Sequence, residues 1–206
     1  MQLLANTTSP FVRIARTAMI EKGLDFEPTL VDPWADDARL RAANSATRVP
    51  TLVLDDGTPL AECLLIVQWL ALTRPAPDWP SLTGQASAAA GVLSRTGIAI
   101  GAIEAATITI ITRKVTAPAL FDDTPLGLRR RRSMVEGMLR LEAQAGAIAG
   151  SGTPKLDAIA AVTLYDYQQL RFADQPWLPA TPQLRALSEA WNAWPSFART
   201  QSYIPS

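Results

Sequence analysis

Three prolines within seven residues, in the run RPAPDWP at 74–80, cut this chain into two stretches of different periodicity. Proline removes a backbone donor and fixes φ, so the run suits an extended linker and neither a helix nor a strand. Before it, short apolar runs alternate with helical spacing. Residues 1–4 read as a buried strand. Phe11, Val12, Ala15, Ala18 and Met19 then recur as one face of a helix, which Gly23 closes as its C′ residue. Residues 26–31 read as a second strand, and 36–43 as a short helix opened by acidic residues. Residues 51–54 and 58–61 form a hairpin around Asp56-Gly57, and 63–72 return to a helix. The order βαβαββα implies an α/β layer on a mixed sheet.

After the linker the strands stop. Residues 85–115, 125–148, 156–172 and 183–194 each carry apolar side chains at a spacing of three to four, which predicts a helical bundle. Ile108–Ile111 is β-branched enough to suggest a strand, but its alanine-rich neighbours favour a helix. The expected domains are therefore 1–76 and 84–206. The apolar stretch 96–112 is shorter than the roughly 20 residues of a membrane span. It also contains Glu104 and is followed by Arg113 and Lys114, so it reads as a buried helix.

Composition narrows the chemistry. Nineteen basic and nineteen acidic residues cancel, giving no global field for nucleic acid or an anionic membrane. The basic run Arg129–Arg132 lies at a helix start and reads as a solvated or dimer-facing surface. There is one cysteine, Cys63, and no histidine. An intrachain disulfide, a multi-thiolate zinc site, a His-ligated metal and a Ser-His-Asp triad are thereby excluded. What remains is hydroxyls, backbone amides, carboxylates and bound cofactors. The N-terminus lacks a basic-then-apolar leader pattern, which predicts a cytosolic protein.

Three clusters carry chemical meaning. Thr8-Ser9-Pro10 follows the first strand. Proline suits the first helical position and serine the N-cap, so a cap alone explains both. The same geometry presents a hydroxyl and a helix N-terminus to a thiolate. Val49-Pro50 stands before a strand, where a cis bond would present the Val49 amide and carbonyl to a peptide-like ligand, and a trans bond would not. Glu62-Cys63 opens the last helix of the first half. Its amides suit a carboxylate and Glu62 suits an ammonium, although a glutamate there also merely complements the dipole. Trp34, in a strand-to-helix loop, is a candidate border of such a site.

The order of these clusters, in SPFVRIAR, RVPTLVLDDGTPLAE and LLIVQWL, resembles the glutathione S-transferase family in its bacterial, serine-containing form. The second half agrees. LDAIAAVTLYDYQQLRF resembles the family's buried helix with its near-invariant aspartate, here Asp157. WNAWPSFARTQSYIP resembles its closing segment, with Trp194 where arginine is usual. The resemblance implies a thioredoxin-like βαβαββα domain that binds glutathione, followed by an all-helical domain that shapes the second-substrate pocket. It places Ser9 at the thiol-activating position, with Thr8 as the alternative hydroxyl. Val49 would bind the cysteinyl backbone of glutathione beside a cis Pro50, and Glu62 and Cys63 would hold its γ-glutamyl end. It further implies a homodimer, glutathione as co-substrate, no metal, and no nucleic-acid or membrane partner. Two departures stand out: Leu4-Ala5-Asn6 lacks the tyrosine often found there, and Cys63 replaces a serine.

A free thiol has a pKa of about 8.5, so little of it is ionised at neutral pH. A hydrogen bond to a charged group contributes about 1.5–3 kcal/mol, enough to lower that pKa by roughly one to two. The expected activity is attack of the glutathione thiolate on a small apolar electrophile. A non-catalytic binding or regulatory protein on the same fold, and a thiol–disulfide reductase, are the alternatives. The last requires cysteine at position 9.

Overall fold

The computed structural model describes residues 1–24, 28–116, 121–150 and 152–204. Its strands are β1 (Gln2–Ala5), β2 (Thr29–Leu30), β3 (Thr51–Val53) and β4 (Pro59–Ala61). They form one sheet in the order β2-β1-β3-β4. β1 and β2 are parallel, and the other two pairings are antiparallel. The second strand expected at 26–31 is observed at Thr29–Leu30; residues 25–27 lie outside the described part.

Helix α1 (Pro10–Glu21) makes the crossover between the parallel strands. Ser9 caps its start, and Lys22, Gly23 and Leu24 close it. The Gly23 amide donates to the Ile20 carbonyl and the Leu24 amide to the Met19 carbonyl, each at 2.8 Å. Those two bonds, with Gly23 at φ +69°, make a Schellman ending. Helix α2 (Ala38–Ala43) is capped by Asp37, and α3 (Cys63–Thr73) follows β4. The thioredoxin-like βαβαββα order read from the sequence is the order observed, and an all-helical stretch follows it.

In that stretch α4 spans Ala86–Val115, α5 Pro125–Glu142, α6 Ala145–Ile148, α7 Leu156–Phe172 and α8 Pro182–Asn192, with a short α9 at Pro195–Ala198. One helix was expected over 125–148, and two are found. Nothing in the local sequence breaks it. The Glu142 carboxylate accepts from the Gln183 and Leu184 amides at 2.8 Å each, which ties the end of α5 to the start of α8. Among the described residues, α4 alone is long and apolar enough to span a bilayer. The helix expected over 85–115 is observed at Ala86–Val115. It nevertheless buries Val92, Thr96, Ala99, Ala102, Ile103, Ala105, Ala106 and Thr109.

The chain separates into two compact units. One is Met1–Leu82 together with the residues from Trp194 on, and the other is Thr83–Ala193. In the first, Phe197 is buried, and the Thr17 and Thr200 hydroxyls share a buried hydrogen bond of 2.8 Å. The Trp194 indole N–H donates to Glu21 at 2.9 Å, so a donor is retained where the sequence departs from arginine. In the second unit, Asp157 is 2% exposed and accepts from Arg95 Nε and Nη2 at 2.8 and 2.7 Å. The basic run at 129–132 is not uniformly solvated. Arg131 is half-buried over the Trp177 ring, 5.7 Å from its centroid.

Candidate functional site

The strand register gathers the three clusters at one end of the sheet. Leu4 pairs with Thr51, and Thr51 pairs with Ala61. From that row, β1 runs forward toward Ser9, β3 runs backward to Pro50 and Val49, and β4 runs forward to Glu62 and Cys63. Residues 9, 49, 50, 62 and 63 are distant in sequence, and the register directs the segments that carry them to the same end of the sheet.

At the first position the Asn6 side chain accepts from the Ser9 amide at 2.9 Å, which fixes the turn out of β1. The Ser9 hydroxyl accepts from the Val12 amide at 3.2 Å. A hydroxyl that accepts one hydrogen bond still has its own proton to donate. Ser9 therefore caps the helix and presents a donor together. Ser9 and Thr8 are both half-buried. Ser9 lines a cavity of about 260 Å³, and Thr8 is not among the residues described around it.

The Val49–Pro50 bond is cis. Pro50 is buried, and Val49 packs on the cluster of Leu4, Val31 and Leu40. The loop before it is pinned by Asn44, whose Nδ2 donates to the Arg48 carbonyl at 3.2 Å and to Thr51 Oγ1 at 3.0 Å. Thr51 Oγ1 in turn donates to the Arg48 carbonyl at 2.8 Å. Among the described residues no group pairs with the backbone N–H or C=O of Val49.

Glu62 has φ +68°, a conformation that side chains rarely adopt and that commonly accompanies function. Its carboxylate is exposed and lies 3.8 Å from Arg48 Nη1. No side chain caps α3. Cys63 is 4% exposed. Burial, reinforced by the Glu62 charge, pushes its thiol up to about 12, against weaker help from the Leu64 amide. The Cys63 thiol is thus protonated at neutral pH. At this position the backbone amide, and not the thiol, is suited to bind an anion. Trp34 is 48% exposed and is not among the residues described around the cavity.

The cavity beside Ser9 also takes in Arg13 and Arg16 of α1 and Arg199 to Tyr203 of the closing segment. The Tyr203 amide donates to the Thr7 carbonyl at 3.2 Å, holding that segment against the loop before Ser9. Sequence reasoning did not single out these residues. Arg13 and Arg16 lie one helical turn apart, a visible signal, whereas nothing local ties Arg199 to α1. Among the described residues no cluster of potential metal ligands occurs.

Residues 8–73 match the family profile described as glutathione S-transferase, N-terminal domain. The uncharacterized GST-like protein YibF of Escherichia coli is 27% identical over 202 residues, 98% of each chain. A glutathione S-transferase from Methylobacterium radiotolerans, solved in complex with glutathione sulfonate, is 28% identical with a TM-score of 0.84. That match covers 100% of this chain and 96% of the other. A glutathione S-transferase from Methylobacillus flagellatus, solved with glutathione bound, shares the fold at 23% identity and a TM-score of 0.84, over 98% of this chain and 99% of that one. Residues 8–73 thus match a glutathione S-transferase N-terminal domain, and the chain from end to end is similar in fold to solved glutathione S-transferases.

Proposed function

We propose that this protein binds glutathione at the sheet end formed by Val49, Pro50, Glu62 and Cys63, and ionises its thiol at Ser9 for attack on a small electrophile. The observation that supports this reading is the register row Leu4–Thr51–Ala61, from which the segments carrying these residues run to one end of the sheet. The Val49 N–H and C=O would pair with the cysteinyl backbone of glutathione as a short added strand. The amides that open α3 would take the γ-glutamyl carboxylate, and the exposed Glu62 its ammonium. Ser9 would donate to the sulfur, with Thr8 as the alternative hydroxyl. Glutathione in the Methylobacillus flagellatus relative and glutathione sulfonate in the Methylobacterium radiotolerans relative support the choice of ligand.

Neither histidine nor metal is needed for the proposed step. The Ser9 hydrogen bond stabilises the thiolate by about 1.5–3 kcal/mol, and the helix start by a few tenths more. The thiolate sulfur then bonds to the electrophilic carbon, whose leaving group departs with the bonding pair. Residues 1–76 would be the glutathione-binding domain, and 84–206 the helical domain that shapes second-substrate choice. The exposed Leu64, Leu65 and Leu72 of α3 are consistent with a homodimer. The cytosol, where glutathione is kept reduced, is the compartment this chemistry requires.

A second reading, binding without turnover, draws on Cys63. A buried thiol in place of a hydroxyl removes one good donor from the γ-glutamyl end. Retention on immobilised glutathione, followed by a conjugation assay with chlorodinitrobenzene, separates the two. Retention with turnover above the uncatalysed rate is expected. Retention without turnover toward any electrophile selects the second reading, and absence of retention overturns both. The reductase alternative loses support, because Ser9 stands where it needs a thiolate and Cys63 is buried and protonated.

A further inference from the structure

The basic run at 129–132 meets aromatic side chains in the second unit, and glutathione binding makes no use of it. On α5, Arg130 and Arg131 lie one turn before Met134 on the same face. On α7, Tyr167, Gln168, Arg171 and Phe172 share one face. Met134, Tyr167 and Phe172 pack into a single core cluster, with Trp177 against it, so the two faces meet there. Arg131 lies 5.7 Å from the Trp177 ring centroid, Trp177 lies 5.3 Å from that of Phe172, and Arg171 lies 5.7 Å from that of Tyr167.

Charge and hydrogen bonding are both incomplete at this junction. The Asp122 carboxylate pairs with Arg113 through Nε at 3.0 Å and through Nη2, and its backbone carbonyl accepts from Arg131 at 3.4 Å. Among the described residues no carboxylate pairs with Arg130, Arg131 or Arg171. Arg130 Nε, Arg171 Nε and Trp177 Nε1 are buried donors with no acceptor. Gln168 is 0% exposed, and neither its Nε2 nor its Oε1 has a partner. Buried donors are nearly always paired, so four on adjoining faces point to an acceptor from outside the chain. Two of the four belong to guanidiniums without a counter-charge, which favours an anion over a neutral acceptor. The three arginines and Trp177 are half-buried, so the junction is open to solvent on one side.

We propose that Arg130, Gln168, Arg171 and Trp177 form an oxyanion site between α5 and α7, and that it takes hydrogen phosphate. Guanidinium N–H groups suit phosphate oxygens in charge and geometry. Gln168 Oε1, the acceptor among the unpartnered atoms, suits the single O–H that hydrogen phosphate retains. Arg131, held over Trp177, adds positive potential beside the site. The site shares no residue with the proposed glutathione site and does not depend on it.

The test is an NMR titration of the full chain with inorganic phosphate, with chloride holding the ionic strength constant. It follows the indole N–H of Trp177, identified by its loss in Trp177→Phe. A saturable shift of that signal is expected. Arg130→Gln and Arg171→Gln, each shown folded by circular dichroism, should weaken the affinity by about tenfold, and Arg171→Lys should keep part of it. Sulfate, which has a similar shape but no O–H for Gln168, should bind several-fold more weakly. No saturable shift in the wild-type protein, or an affinity unchanged by both glutamine substitutions, overturns the site. Phenyl phosphate binding more tightly than inorganic phosphate, or sulfate binding as tightly, overturns hydrogen phosphate as its ligand.

Discussion

Replacing Ser9 by alanine removes the bond to the Val12 amide as well as any donor to a bound sulfur. Loss of the cap should cost about 1 kcal/mol in denaturant unfolding, and Ser9→Asn should recover most of it. Cys63 makes a separate prediction. Its folded-state pKa is pushed up to about 12 by burial and by Glu62. The raised value means that the native state holds the proton more tightly. The resulting stabilisation is complete below the unfolded pKa of about 8.5 and is lost as pH rises toward 12. At pH near 8, native protein should react with a thiol reagent at least about tenfold more slowly than unfolded protein. Equally fast labelling would contradict the burial. Because both residues keep the backbone amide, Cys63→Ser should change glutathione affinity by less than about threefold. Ser9 and Pro10 were legible in the sequence, since capping is local chemistry. The burial of Cys63 was not, because it depends on what packs above the helix start.

Helix boundaries divide in the same way. The end of α1 was readable from Gly23, which needs positive φ, but its steric role was not. A Cβ there would lie 1.9 Å from Cζ3 of Trp79, a residue of the linker. Gly23→Ala should therefore destabilise the first unit by about 2 kcal/mol or more, combining backbone strain with overpacking. Thermal melting of Gly23→Ala, alone and with Trp79→Leu, checks this; partial recovery in the double variant is expected. Helix α2 carries a pH signature. Arg39, reinforced by the Arg39 and Leu40 amides, holds the Asp37 carboxyl down to about 2. A depressed carboxyl stabilises above its unfolded pKa and loses that contribution as pH falls toward 2. Amide exchange in α2 should accelerate over that interval and should not do so in Asp37→Asn. By contrast, the break between α5 and α6 had no local signal. It is tied to Glu142 reaching amides forty-one and forty-two residues further on, contacts that periodicity does not reveal.

For the whole molecule, the prolines at 74–80 marked where strands give way to helices, because they act on the backbone directly. The packing of the last residues with the first unit was invisible, being a matter of long-range contacts such as Thr17 with Thr200. The second unit depends on Asp157, whose burial leaves Arg95 as its counter-charge. Asp157→Ala should cost about 3–5 kcal/mol, since it strands a mostly buried guanidinium. Length and composition alone would let α4 cross a membrane, whereas eight of its residues from Val92 to Thr109 are buried against the protein. Lysate fractionation should leave the protein in the supernatant without detergent. The central claim concerns the gathering of five residues at one sheet end and the consequence for a bound thiol. The thiolate absorbance of glutathione bound to wild-type protein and to folded Ser9→Ala, titrated against pH, tests it most directly. The account predicts a bound thiol pKa below about 8.5 that rises by roughly one to two on substitution, and an identical titration in both proteins would contradict it.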